Sequence, residues 1–144
     1  MARGTVSETY HAALAHDLVD FEGATRVGVV RQPTAWFSGE IDENVPELGP
    51  PEELLEEFKG RHEDLKMQGM CDEGAHNAAW EDLRFEEQYR AHLDSAEART
   101  ALSRLADRAA SGEDLVLVCF EADKKRCHRH ALVNEVESRI SPDA

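Results

Sequence analysis

The side chains best suited to chemistry are concentrated in one stretch, LVLVCFEADKKRCHRHALVNEV, residues 115 to 136. Two of the chain's three cysteines and two of its seven histidines fall between Cys119 and His130. Cys127 stands where a helix is expected to begin. Unpaired N–H groups and the helix dipole favour a thiolate at such a position. Lys124, Lys125, Arg126 and Arg129 add positive potential around it, and Glu121 and His128 are groups that can carry a proton.

Three kinds of site fit these residues. In an anion site, the helix start, Arg129 and Arg31 hold a phosphate or carboxylate, and Cys127 acts as nucleophile or redox thiol. In a metal site, Cys119, Cys127, His128 and His130 supply the ligands. Their spacing, C-x7-C-H-x-H, matches no usual zinc pattern, and adjacent helical residues point in different directions. In a structural arrangement, His128 caps the helix, Arg129 pairs with acids and the thiols are inert, with Cys119 buried as a small apolar residue. A cysteine-phosphatase loop, strand-C-x5-R-helix, is excluded because Lys125 occupies the sixth position after Cys119. Cys71 has acidic neighbours, which disfavour a thiolate, so it is expected to be unreactive. His62, His76 and His92 are scattered and are expected to be core or surface residues.

The elements that must hold these groups follow from pattern. DLVLVCF is apolar and unbroken after Asp114, which predicts a central parallel strand covered on both faces. TRVGVVRQP predicts a second strand, closed by Pro33. RGTVSETY, residues 3 to 10, predicts a first strand. HAALAHDLVDFEG has Ala12, Ala15 and Val19 at helical spacing but is short and ambiguous. TAWFSGEIDENVPELGPP, with its glycine and proline breaks, is expected to be a long loop. In it, Trp36 and Phe37 suit either the core or a stacking surface.

Four helical runs complete the pattern. PPEELLEEFKGRHEDLKMQ carries the stripe Leu54, Phe58, His62 and Leu65, with prolines and acids in its first turn. GMCDEGAHN is expected to break it. AAWEDLRFEEQYRAHL is helical with room for a bend, and Asn77, Trp80 and Tyr89 lie on the part expected to cover the site. Ser95 is the expected N-cap and Gly112 the expected stop of a helix with Ala98, Leu102, Leu105 and Ala109 on one face. HRHALVNEVESRI places Leu132, Val136 and Ile140 on one face of a last helix. Strands alternating with helices imply a single α/β domain over residues 1–144, a mostly parallel sheet with helices on both faces. Sites in such sheets lie at the carboxyl ends of the strands, which selects the junctions after Arg31 and after Cys119.

Composition bounds the partners. Thirty acidic residues oppose sixteen basic ones, for a net charge of −14. Non-specific nucleic-acid binding needs a basic surface and is therefore disfavoured. An acidic, lysine-poor surface suits concentrated salt, where self-repulsion is screened. An odd, low cysteine count argues against a secreted disulfide framework and for a reducing cytoplasm. No apolar run reaches the ~20 residues of a membrane span, and the N-terminus lacks a secretory h-region.

LVLVCFEADKKRCHRHAL resembles the C-terminal signature of the domain-of-unknown-function family 488: an apolar strand, a cysteine, a glutamate, a basic loop, then C-H-R opening a helix. VGVVRQP resembles that family's strand ending in arginine, and FEEQYRAHL its F-x3-Y helix. The acidic, low-lysine character is similar to that of a haloarchaeal member. Many members carry D-V-R on the second strand; Val29 stands where that acid would be, and the segment SGEIDENVPELGPPEE suggests a subfamily. The resemblance implies an α/β fold and a pocket formed by Arg31, Cys119, Glu121, Cys127, His128 and Arg129, with no established activity. The reading that results is a cytoplasmic, enzyme-like protein binding a small phosphorylated or nucleotide-type anion. Cys127, His128 and Glu121 would do the chemistry, Arg31, Arg129 and Cys119 would form the anion site, and neither metal nor cofactor is called for. The alternatives are a non-catalytic ligand- or partner-binding module and a zinc-stabilised structural domain.

Overall fold

The computed structural model describes residues 4–15, 23–31, 35–119 and 128–140. Among the described residues four strands form one sheet: β1 (Val6–Tyr10), β2 (Thr25–Gly28), β3 (Glu43–Asn44) and β4 (Leu115–Cys119), in the order β1-β4-β2-β3. Every pairing is parallel. The helices are α1 (His11–Ala15), α2 (Ala35–Ser38), α3 (Glu52–Met67), α4 (Asp72–Asp82), α5 (Phe85–Leu93), α6 (Ala96–Ala110) and α7 (Arg129–Arg139).

β4 is central because its composition allows nothing else. All five of its residues are buried, as expected of a strand covered on both faces. Its side chains divide by alternation. Leu115 and Leu117 pack with Leu102 and Leu105 of α6, Tyr89 and Leu93 of α5, and Leu132 and Val136 of α7. Val116 and Val118 pack on the opposite face with Leu14 of α1 and Phe37 of α2. The α/β fold with helices on both faces is therefore the observed one, and Phe37 belongs to the core. Among the described residues, no helix is long and apolar enough to cross a membrane.

Sequence and structure agree at several helix ends. Ser95 Oγ accepts a hydrogen bond from Ala98 N–H at 3.3 Å, capping α6. Gly112 closes that helix with φ +106°, a conformation glycine adopts without penalty. The expected bend between Ala78 and Leu93 falls at Arg84, whose φ of +49° separates α4 from α5. Two expectations need correction. The break after α3 is shorter than GMCDEGAHN, since α4 already starts at Asp72, with Cys71 Sγ accepting from Gly74 N–H as its cap. The stretch expected to be a long loop holds α2, β3 and a 3-10 turn at Pro46–Leu48. These pieces of two to four residues are fixed by neighbours and carry no periodic signal.

Candidate functional site

β4 and β2 are adjacent parallel strands in the middle of the sheet. α2, the helix that follows β2, packs on one face of the sheet and α7, the helix that follows β4, on the other, so this pair of strand ends is a topological switch point. Such switch points are where open α/β sheets bind ligands. Both selected junctions lie there: Arg31 follows β2, and Cys119 is the last residue of β4.

The end of β2 is finished by side chains instead of by a longer neighbour. Val29 N–H donates to Val118 C=O at 3.0 Å, and Val45 N–H donates to Gly28 C=O at 2.8 Å. Asn44 then acts as an extension of β3: its Nδ2 donates to Val30 C=O at 3.0 Å and its Oδ1 accepts from Val30 N–H at 3.3 Å. The remaining carbonyl, that of Val29, accepts from His128 Nε2 at 2.7 Å across 99 residues of chain. A carbonyl only accepts, so this contact fixes the proton on Nε2. His128 is buried and meets the Tyr89 ring edge to face, with centroids 5.0 Å apart. It thereby pins the start of α7 to the end of β2. Val29, which precedes Val30 and Arg31, is a core residue with no exposure.

A second lattice of contacts binds the segment from Glu47 to Pro50. Its four consecutive carbonyls all accept from side chains: Glu47 from His92 Nε2 at 2.8 Å, Leu48 from Tyr89 OH, Gly49 from Arg31 Nη2 at 3.0 Å and Pro50 from Arg31 Nε at 3.2 Å. A 3-10 turn of three residues satisfies few of its own carbonyls, and Pro50 and Pro51 donate nothing, so outside donors are required. Gly49 is obligatory for close approach. A Cβ there would collide with the Arg31 amide and lie 2.8 Å from the Val30 carbonyl carbon. His92 Nε2 also lies 3.3 Å from Arg31 Nη2. Because the shorter contact makes Nε2 a donor, that approach brings two donors together and contributes no hydrogen bond.

Arg31 is thus a half-buried guanidinium held by neutral oxygens. It makes no ion pair among the described residues, whereas Arg26, Arg61, Arg84, Arg90 and Arg108 each pair with a carboxylate. It opens onto a depression of about 580 Å³ lined by Pro51, Glu52, Glu53 and Glu56. Its positive charge is therefore positioned at the strand ends without direct neutralisation, with the acidic first turns of α3 on the outward side.

Of the other residues selected from sequence, Cys119 is buried beside Val116 and Val118. Arg129 is placed by its backbone in the first turn of α7. Glu121 and Cys127 lie outside the described residues, as does the basic run from Lys124 to Arg126. A metal bound through His128 would have to use Nδ1, since Nε2 is committed to Val29. Tyr89 covers the junction as expected, whereas Trp80 stacks on Phe85, with centroids 4.1 Å apart, in a separate aromatic group. His92 and Asn44 were not anticipated. Their roles depend on neighbours 14 to 45 residues away, and neither has a local pattern that announces them.

No curated protein and no solved structure matches the chain. A family model described as the active DUF488-N3 subclade matches residues 12–140, a span that takes in β2, the pinned segment from Glu47 to Pro50, β4 and α7. The strand ending at Arg31 and the C-H-R start of α7 both fall within it, and the chain belongs to this DUF488-N3a family.

Proposed function

We propose that the carboxyl edge of β2 and β4 is the reaction centre of a cytosolic enzyme that binds a small phosphorylated or nucleotide-type anion. One observation carries this reading. Arg31 is held at a strand end by the carbonyls of Gly49 and Pro50 and keeps its charge, in a chain of net charge −14. A fixed, un-neutralised guanidinium in such a chain is suited to a ligand that brings the counter-charge. The tie between His128 and Val29 supports it, since the start of α7 is held to the same strand end as Arg31. Arg129 and the N–H groups of α7 then join Arg31 on the anion. Cys127 supplies a thiolate, and Glu121 moves the proton. His128 can share that last task only through Nδ1. The word "active" in the subclade's description accords with a retained reaction centre. The protein's acidic surface fits a salt-rich cytoplasm, as in haloarchaea.

A non-catalytic binding module is the second reading. The buried positions of Cys119 and His128 favour it, because burial of both fits a role in holding the fold together. Peptide-resolved iodoacetamide labelling against pH decides between the two. Cys127 is expected to label at lower pH than Cys71, and millimolar phosphate or a nucleoside monophosphate is expected to slow that labelling. Arg31→Lys keeps the charge but loses the fork, and should weaken this protection about tenfold. Identical pH profiles for the two thiols, with no protection, would leave the binding module. Stoichiometric zinc on elemental analysis would remove both in favour of a zinc-stabilised domain.

A further inference from the structure

The described arginine side chains divide into three groups. Those of Arg26, Arg61, Arg84, Arg90 and Arg108 pair with carboxylates, and that of Arg31 binds carbonyls. Arg99, Arg104 and Arg139 make no hydrogen bond or ion pair through their guanidinium groups among the described residues. All three line one open depression of about 480 Å³, together with Thr100, Ser103 and Asp107. Its volume lies within the ~300–1,000 Å³ of small-molecule clefts. None of its residues is shared with the depression at Arg31.

Geometry explains the gathering. Arg99 and Ser103, and Thr100 and Arg104, are four residues apart on α6, so they form two neighbouring ridges of that helix. Arg139 reaches the same place from the last turn of α7, which packs alongside α6. Its Nε is buried and has no hydrogen-bond partner among the described residues. Buried donors in folded proteins are normally matched by an acceptor, a water or an ion. Among the described residues Asp107 is the one acid lining the depression, and it bridges to none of the three arginines.

We propose that this depression is an oxyanion site for a compact ligand carrying two or more negative charges, of the pyrophosphate class. Three guanidinium forks match phosphoryl oxygens, and the buried Nε of Arg139 donates to one of them. The hydroxyl of Ser103 adds a further donor; that of Thr100 is already turned to Ala96 C=O. Asp107 and the protein's net charge oppose any anion, so it is the three arginines that favour a ligand with several charges over a monovalent one. At ~0.1 M salt the Debye length is about 10 Å, so distant carboxylates are screened while the three local arginines are not.

Titration of the full chain with inorganic pyrophosphate in 0.1 M KCl, followed by arginine Nε–Hε resonances and calorimetry, tests this. The expected result is saturable binding, with shifts at Arg99, Arg104 and Arg139. Arg104→Gln and Arg139→Gln should each weaken binding about tenfold, the loss of one charge-assisted contact. Asp107→Asn should tighten it about threefold, through removal of one nearby like charge. Arg61→Gln, which removes a paired arginine elsewhere, should leave binding unchanged. Equal losses in Arg61→Gln and Arg104→Gln would mean general charge attraction and overturn the site. The absence of saturable shifts at the three resonances would also overturn it. Because Arg31 and Cys127 are not involved, either failure leaves the reading of the strand-end centre untouched.

Discussion

His128 shows how one side chain can unite a fold and a candidate site. It is buried, spends Nε2–H on the carbonyl of Val29, just after β2, and rests against Tyr89. His128→Ala would leave Val29 C=O unsatisfied and open a cavity beside Tyr89. These two effects predict a loss of about 2–4 kcal/mol in urea unfolding. His128→Gln can present an N–H near the former Nε2 position and should recover about half of that. If His128 also moves a proton, the glutamine variant will be stable but inactive, since an amide does not titrate. Equal stability of the wild type and the alanine variant would show that the pin contributes nothing. The sequence made His128 a candidate by its neighbours, but it could not reveal that Nε2 faces a carbonyl. That fact depends on the register of a strand 99 residues away. Asn44 and His92 were missed for the same reason.

At the scale of elements, the two ends of the sheet use different devices. The carboxyl ends are joined by neutral hydrogen bonds, the amino ends by an ionic clamp. Arg108, in the last turn of α6, donates to both oxygens of Glu113 just before β4 and to both oxygens of Glu43 at the start of β3. Thr25 at the start of β2 donates to Glu113 as well, at 2.7 Å. One guanidinium therefore ties α6, β4, β3 and β2 together. The hydrogen bonds from Arg108 and then Thr25 lower the Glu113 pKa from 4.5 to about 2. A carboxylate depressed in the folded state stabilises fully above its unfolded pKa and loses that contribution as pH falls through the folded value. The clamp should therefore weaken between about pH 4.5 and pH 2. Since both partners are a quarter to a third exposed, solvent screening reduces the contribution to about 1 kcal/mol. Urea midpoints between pH 6 and pH 2.5 check this: Arg108→Met should be less stable at pH 6 and should lose less on acidification. Parallel curves for the two proteins would refute the clamp. Helices α3 and α6 and strand β4 were legible because each carries a long apolar pattern or a cap. Helix α2, strand β3 and the 3-10 turn were not, because tertiary contacts alone hold pieces so short.

The whole molecule carries a charge problem that its local devices do not solve. Ion pairs such as Arg61–Asp82 and Arg90–Glu135 use basic residues sparingly, yet thirty acids against sixteen bases leave fourteen negative charges on a 144-residue chain. Mutual repulsion of that size destabilises the compact state, and added salt relieves it as the Debye length falls from ~30 Å at 0.01 M to ~3 Å at 1 M. The melting temperature should therefore rise with KCl from tens of millimolar towards molar. If screening restores ~2 kcal/mol, the gain is about 4–8 °C for a domain of this size. The Arg108 clamp opposes the trend slightly, since salt weakens an exposed pair, but the net charge is the larger effect. Thermal unfolding at several KCl concentrations gives the sign directly. Potassium sulfate at matched ionic strength separates screening from the general strengthening of apolar burial by excluded salts. A rise in KCl that sulfate matches at equal ionic strength identifies screening. A flat or falling melting temperature in KCl would show that the acidic surface costs the fold little, and would remove the case for adaptation to salt.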